Sequence, residues 1–372
     1  MKLRWLLFLI LTGLFFCGKP QISWQTRIDT GTDESTVKLL NTADQLILVA
    51  NQGKKEQGRV VWLVQYLDHQ GRLLKRSTYA EASLNIARDA CRDESAHLYL
   101  CGYTRLHDTT ICLIVKINPA GKTVWKKGLA FGAATWANGI SVVDNGIAIT
   151  GGMETPEGND LFVARIDAEG KTVWSRNYHL AEPAEGWKIK ADSRGNLVVL
   201  GRYCSGPDIL LMQIKPNGDT AWTRRYDSGG NDEPGNLIID RFDNIIAVNT
   251  AHLADSTRCV ILEYTADGGA VRKVAYGENA QAEGADLNIN DDGTIVIAGT
   301  LFNPKGKQPL VFEYLPNATA IWERQLNLGS AAEGKSLLFQ DGIVVAADVA
   351  GQNTDIIVLK LNWQKNSPAV SK

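Results

Sequence analysis

The sequence predicts an all-β protein: a seven-bladed β-propeller of four-stranded antiparallel blades, with the N-terminal strand closing the last blade. Three observations lead there. One position recurs at near-constant spacing, Trp24, Lys75, Trp125, Trp174, Trp222, Arg272 and Trp322, at intervals of 51, 50, 49, 48, 50 and 50 residues. Short apolar runs keep the same period: QLILVA, HLYLCG, GIAITG, NLVVLG, NIIAVN, TIVIAG and GIVVAA begin at residues 45, 97, 146, 196, 244, 294 and 342. A third set, including VVWLVQYL, LFVARI, ILLMQI and IIVLKL, also occurs seven times. Repeats of roughly 40 to 50 residues with four strands each are propeller blades, and neither a sandwich nor a barrel imposes such a period.

The elements follow in order within each unit. In the fourth, GWKIKAD is a first strand, SRG a turn, NLVVLGR a second strand, DILLMQIK a third strand after a variable loop, PNG a turn, and DTAWTRRY a fourth strand. No room is left for a helix. The middle runs are rich in Val, Ile and Leu and apolar on both faces, as a sheet held between two neighbouring sheets requires. With the tryptophan strand outermost, the order from channel to rim is KIKAD, NLVVLG, ILLMQI, tryptophan strand. Trp24, Trp125, Trp174, Trp222 and Trp322 then pack between blades, each burying on the order of 200 Å². The chain starts with an outer-type strand around Trp24 and ends with a third-type strand at 356–361, so neither terminus holds a complete blade. Residues 22–28 are expected to pair beside 355–361, because an open ring would expose unpaired edges.

The N-terminus reads as an export signal over residues 1–17, followed by a single propeller domain over 18–372, taken as a monomer. Lys2 and Arg4 precede an apolar run from Trp5 to Phe16 that is too short for a transmembrane anchor. Leu14 and Cys17 in LFFCG sit as in a bacterial lipoprotein box, with Cys17 the residue to be lipidated, although Phe16 stands where a small residue is usual. The alternative is ordinary secretion, and both readings place the protein outside the cytoplasm. Five cysteines remain for the fold. Cys101 ends a second strand and Cys112 starts the third strand of the same blade, a candidate disulfide across the hairpin; otherwise these are small buried side chains. No C-x-x-C spacing supports a zinc site. Lys+Arg 39 against Asp+Glu 41 gives no reason to expect nucleic acid, or a membrane other than through a lipid anchor.

WTRRYDSGGNDEPGNLIIDRFDNIIAVNT at 222–250 and WSRNYHLAEPAEGWKIKADSRGNLVVLG at 174–201 resemble units of the bacterial β-propeller repeat often called SBBP. Its units carry a tryptophan or tyrosine strand, a Gly-Gly or Asp-rich loop and a D-x-x-G-N turn into an apolar strand. The resemblance covers about 340 residues as seven degenerate copies and implies an extracytoplasmic or surface protein, mostly without assigned activity. Lys75 in place of tryptophan, and Cys91 to His97 in place of the turn, are departures in the first two blades. The GKTVW turn is also similar to that of quinoprotein and outer-membrane-assembly propellers. DAEGKTVW has one residue too many for the Asp box of sialidases.

Short connections share one face, while the loops between second and third strands differ in every blade and share the other, where a binding surface belongs. No G-x-S-x-G, H-E-x-x-H or P-loop is present. The first reading is thus a noncatalytic protein that binds an envelope protein or glycan through the variable face, with no cofactor. The alternative is a lyase, hydrolase or quinoprotein-like enzyme using the central funnel. Counting to the next apolar strand places Glu34, Glu185, Glu233, Glu283 and Glu333 at one position near the channel mouth. Each is then satisfied by loop or neighbouring blade, or else the five share a cation such as calcium.

Overall fold

The computed structural model describes residues 19–276, 281–304, 306–314, 322–329 and 331–362; residues 1–17, expected to be an export signal, and Cys17 within them lie outside the described residues. Strands form seven antiparallel sheets of four, and the only helix among the described residues is the 3-10 turn Lys55–Gln57. Blades 1 to 6 span residues 34–79, 84–129, 135–178, 184–226, 231–275 and 281–325. The seventh takes Ala332–Phe339, Ile343–Val349 and Asp355–Asn362 from the C-terminal end and Gln21–Ile28 from the N-terminal end. Ile28 pairs with Ile356, Arg27 with Ile357 and Trp24 with Lys360. The ring is closed by backbone hydrogen bonds, which leaves this blade no open internal edge.

Third strands are buried through their middle, and Ile209–Ile214 from end to end, because each sheet face meets another blade. Rim strands such as Thr172–Tyr178 are mostly exposed or half-buried. Seven apolar clusters make up the core, each drawn mainly from two adjacent blades. Trp24 packs on the blade 7/1 cluster, Trp125 on 2/3, Trp174 on 3/4 and Trp222 on 4/5, while Trp322 lies within 6/7.

The repeated turn and the repeated tryptophan belong to one joint. In the turn Asp167–Lys171 the Asp167 carboxylate accepts the N–H groups of Glu169 and Lys171 at 3.2 and 2.7 Å, and Gly170 takes φ +87°. The Trp125 ring of the preceding blade lies over that glycine and donates Nε1–H to the Ala168 carbonyl at 3.0 Å; a Cβ on Gly170 would come within 3.0 Å of the ring. Trp24 sits in the same way on blade 1, bonding the His69 carbonyl at 2.9 Å over Gly71, and Trp222 covers Gly268. Glycine is required there because any Cβ would occupy the ring's place and the backbone is left-handed. Where Lys75 replaces tryptophan, its ammonium reaches the Ala120 carbonyl and lies 5.6 Å from the Tyr66 ring centroid.

The candidate disulfide is corrected by the register. Cys101 pairs with Ile114 and Cys112 with Tyr103, so the two cysteines are diagonal rather than opposite, and both are free and buried. A diagonal pair on adjacent strands stands about 7–8 Å apart, beyond disulfide reach. Cys91 and Cys259 are also buried and free, and Cys204 is free and exposed in the blade 4 loop. Burial pushes the Cys112 and Cys259 thiols up to about 12.

Candidate functional site: the axial channel and its mouth

Every inner strand carries a β-bulge at one equivalent place, between Thr36/Lys38, Ala87/Asp89, Ala137/Gly139, Gly186/Lys188, Pro234/Asn236, Gly284/Asp286 and Gly334/Ser336. The bulge adds an unpaired residue and re-aims side chains. The added residues are Val37, Arg88, Asn138, Trp187, Gly235, Ala285 and Lys335, and five of them line a hollow of about 200 Å³ on the axis.

Of the residues just past the bulge, Lys38, Asp89, Lys188, Asn236, Asp286 and Ser336 tie the inner strands together, and Gly139 stands at the seventh place. Asp286 is buried and accepts Lys38 Nζ at 3.0 Å, Asn236 Nδ2 at 2.5 Å, Ser336 Oγ at 2.8 Å and the Leu337 N–H at 3.0 Å. That one carboxylate joins blades 6, 1, 5 and 7. Asp89 of blade 2 takes the Ile140 N–H of blade 3 at 3.3 Å and pairs with Lys188 of blade 4 at 3.2 Å. Burial would raise the Asp286 carboxyl, but Lys38 and the donors around it outweigh that and hold it below the ordinary value. Lys38 is raised in turn by Asp286 and Asp89 against its own burial, and burial together with repulsion from Lys38 lowers Lys190. Sequence reading missed these residues. The available signal was a charged residue within an otherwise apolar inner strand, as in GWKIKAD.

The glutamates divide. Counted from the bulge, Glu185, Glu233, Glu283 and Glu333 are equivalent, whereas Glu34 stands one residue earlier and points to the other face, since strand side chains alternate. Its true counterparts are Asn85, Thr135, Ala184, Asp232, Ala282 and Ala332. Glu185 is buried, takes Trp136 Nε1 at 2.9 Å and pairs with Arg202 at 2.8 Å. Glu333 pairs with Lys307 at 2.5 Å and with Lys335, which hold its carboxyl down at about 2 against partial burial. Glu283 is pushed up by burial in the same hollow, and exposed Glu233 lies 3.6 Å from His252. Glu185 and Glu333 thus pair with side-chain cations of this chain, whereas Glu283 also feels the Glu333 carboxylate beside it.

The mouth on the variable-loop side has two unlike halves. Across blades 5 to 7, Glu233, Glu283, Glu333, Lys307 and Lys335 line a hollow of about 310 Å³. Across blades 2 to 4, the exposed Arg88 lies 5.7 Å from the Tyr103 ring centroid and 5.9 Å from that of Trp187, which Arg202 approaches to 5.7 Å. Half-buried aromatic faces with arginines over them form a surface suited to planar or anionic groups. Larger grooves of about 780 and 690 Å³ open on the short-turn side, one beside exposed Phe242 and one among Asp93, Glu94, Asp144 and Asp192.

No protein-family model matches the chain, and no curated protein matches it. Solved structures do. Polysaccharide lyase Uly1 aligns at TM-score 0.53 and 10% identity over 95% of this chain and 94% of its own. Drosophila Plexin A in complex with Semaphorin 1b aligns at 0.52 and 8% over 92% and 87%. Puromycin hydrolase aligns at 0.58 and 14% over 91% of this chain and 54% of its own, so the chain spans about half of that enzyme. Likeness at these identities shows the fold alone. By its strand order and by that likeness, the chain is an all-β, seven-bladed β-propeller.

Proposed function

We propose that the chain is a noncatalytic, extracytoplasmic β-propeller that binds a protein or glycan of the cell envelope through its variable-loop face, anchored at the channel mouth. The observation that carries this reading is the convergence of Arg88, Trp187, Arg202 and Tyr103 from separate blades on one accessible patch. Aromatic and arginine side chains on a rigid support are the usual anchors of an interface, and stacking faces suit sugar rings equally. The Lys38–Asp286 and Lys188–Asp89 pairs hold the inner strands of blades 1, 6, 4 and 2 together beneath the patch. Export follows from Lys2, Arg4 and the apolar run to Phe16, a lipid anchor from Cys17, and SBBP-type repeats from the units quoted above.

Affinity recovery from an envelope extract with the full-length protein tests the reading. Stoichiometric recovery of one envelope protein or glycan is expected, and a glycan returned shortened would replace binding with catalysis. Fractionation of Cys17→Ser cells is expected to move the protein from membrane to soluble extracytoplasmic fractions; an unchanged distribution would remove the anchor.

A further inference from the structure

Two of the loops that lead from a rim strand into the next blade share a composition absent from the others: Asp29-Thr-Gly-Thr-Asp-Glu34 and Asp227-Ser-Gly-Gly-Asn-Asp232. They occupy equivalent places, at junctions 7/1 and 4/5. Each starts right after the rim strand, and each brings in a third carboxylate at the start of the third strand, Asp355 and Asp208 respectively. The backbones match as well. Glu34 N–H bonds the Thr354 carbonyl at 2.7 Å and Asp232 N–H the Pro207 carbonyl at 2.5 Å; Gly31 and Gly229 have φ +80° and +85° and donate to Asp29 and Asp227 at 2.7 and 2.6 Å.

Within each trio the carboxylate oxygens lie within 4.8 Å of one another. Arg27 and Arg225 each offset one charge, bonding Asp355 at 2.6 Å and Asp208 at 2.5 Å. The central acids are the least accessible: Glu34 is 1% exposed and Asp232 0%. One oxygen of each is used, Glu34 Oε1 by Thr30 and Thr32 and Asp232 Oδ2 by the Ser228 N–H at 2.9 Å. The other oxygens, Glu34 Oε2 and Asp232 Oδ1, are buried with no protein partner. Burial and the neighbouring carboxylates push both acids up.

The loops do not need charge to fold. At the same position Asn85 accepts the Glu81 N–H at 2.9 Å and Thr135 the Phe131 N–H at 3.0 Å, while Ala184 and Ala332 do without any polar group. An acid appears only where two more carboxylates converge, and there it keeps a buried oxygen unpaired, which is destabilising in an uncompensated site.

We propose that these two junctions are divalent-cation sites, with calcium the fitting ion: Asp29, Glu34 and Asp355 hold one, and Asp208, Asp227 and Asp232 the other. Hard carboxylate oxygens with one side open to water suit the six to eight oxygen ligands of calcium. The nearby arginine in each site places the affinity in the weak range of about 10⁻⁴–10⁻³ M found in extracellular modules. The sites stand apart from the channel mouth and do not depend on the binding role proposed above.

Calcium titrated calorimetrically into the chelator-treated full-length protein is expected to fill two sites per chain and to raise the melting temperature. Glu34→Gln or Asp232→Asn should each leave one site, and the double variant none. Because a buried change can disturb folding, the exposed Asp29→Asn and Asp227→Asn provide a second readout, each weakening its site about tenfold, the fold-change of 1.4 kcal/mol. Absence of heat and of any thermal shift up to about 10 mM calcium, well above the weakest of these affinities, would overturn the proposal. So would two sites that survive in the double variant.

Discussion

The rim and the axis of this ring solve the same problem, holding one blade against the next, in opposite ways. At the rim the solution is repeated: Trp24 on Gly71, Trp125 on Gly170 and Trp222 on Gly268 are one joint used three times. At the axis the backbone bulge repeats but the side chains past it do not. The position past the bulge holds Lys38, Asp89, Gly139, Lys188, Asn236, Asp286 and Ser336, and charges of one blade are met by blades two steps away. Packing between adjacent blades can reuse one joint wherever a tryptophan meets a turn glycine of the next blade. Seven identical charges around a narrow channel would repel, so the axis must mix signs and thereby breaks the symmetry.

The largest effect is expected at the axis. Asp286→Ala leaves Lys38 buried without its partner and strands Asn236 and Ser336, so a loss of about 3–5 kcal/mol is expected in denaturant unfolding. A loss below about 1 kcal/mol would mean that the pair is solvated and does not hold the ring.

The rim comes next. Gly71→Ala puts a Cβ 2.5 Å from the Trp24 ring at φ +77°, whereas Gly293→Ala at φ +89° has nothing within 4 Å. Both bear the left-handed backbone cost of about 1–2 kcal/mol, and only the first adds overpacking of about 1–3 kcal/mol. Equal losses for the two variants would show that the joint does not depend on the missing Cβ.

Between rim and axis lies Asp348 of blade 7, which accepts the Thr36 N–H of blade 1 at 2.9 Å and whose carboxyl burial pushes up to about 6. The folded state then holds this proton more tightly than the unfolded chain, where the value is about 4. The cost of ionisation is absent below about pH 4, grows between about 4 and 6, and is complete above. Asp348→Asn is therefore neutral near pH 4 and stabilising by about 1 kcal/mol near pH 7.5, the full linkage being reduced because the side chain is half-buried. Thermal unfolding at the two pH values checks it, and a gain that is the same at both would contradict the assignment.

The contrast also explains what was legible. The blade count, the strand order and the closure of 22–28 on 355–361 follow from features that every blade repeats, and a period is visible in a single sequence. Lys38, Asp89, Lys188 and Asp286 have no shared identity to align, and their partners lie in blades that are not neighbours in the chain. Counting forward to the next apolar strand groups Glu34 with Glu185. Only the bulge register shows that it is one residue out of step, and a one-residue offset in a strand reverses the face. The same offset separates the glutamates at the mouth from the acids at the two blade junctions. Cys101 and Cys112 looked opposed for a similar reason, since hairpin register depends on a loop that sequence does not measure.

In the proposed function the partner engages the mouth on the variable-loop side rather than the larger grooves on the short-turn side. Recovery of the proposed envelope partner is to be compared for three forms: the unaltered protein, an Arg88→Ala, Trp187→Ala double variant at the mouth, and a Phe242→Ala, Arg165→Ala double variant that alters both grooves of the opposite face, Arg165 lining the second, each first shown to melt as the unaltered protein does. The account predicts that the mouth variant loses recovery at least tenfold, a change of about 1.4 kcal/mol, while the opposite-face variant keeps it. Loss confined to the Phe242→Ala, Arg165→Ala variant would contradict it.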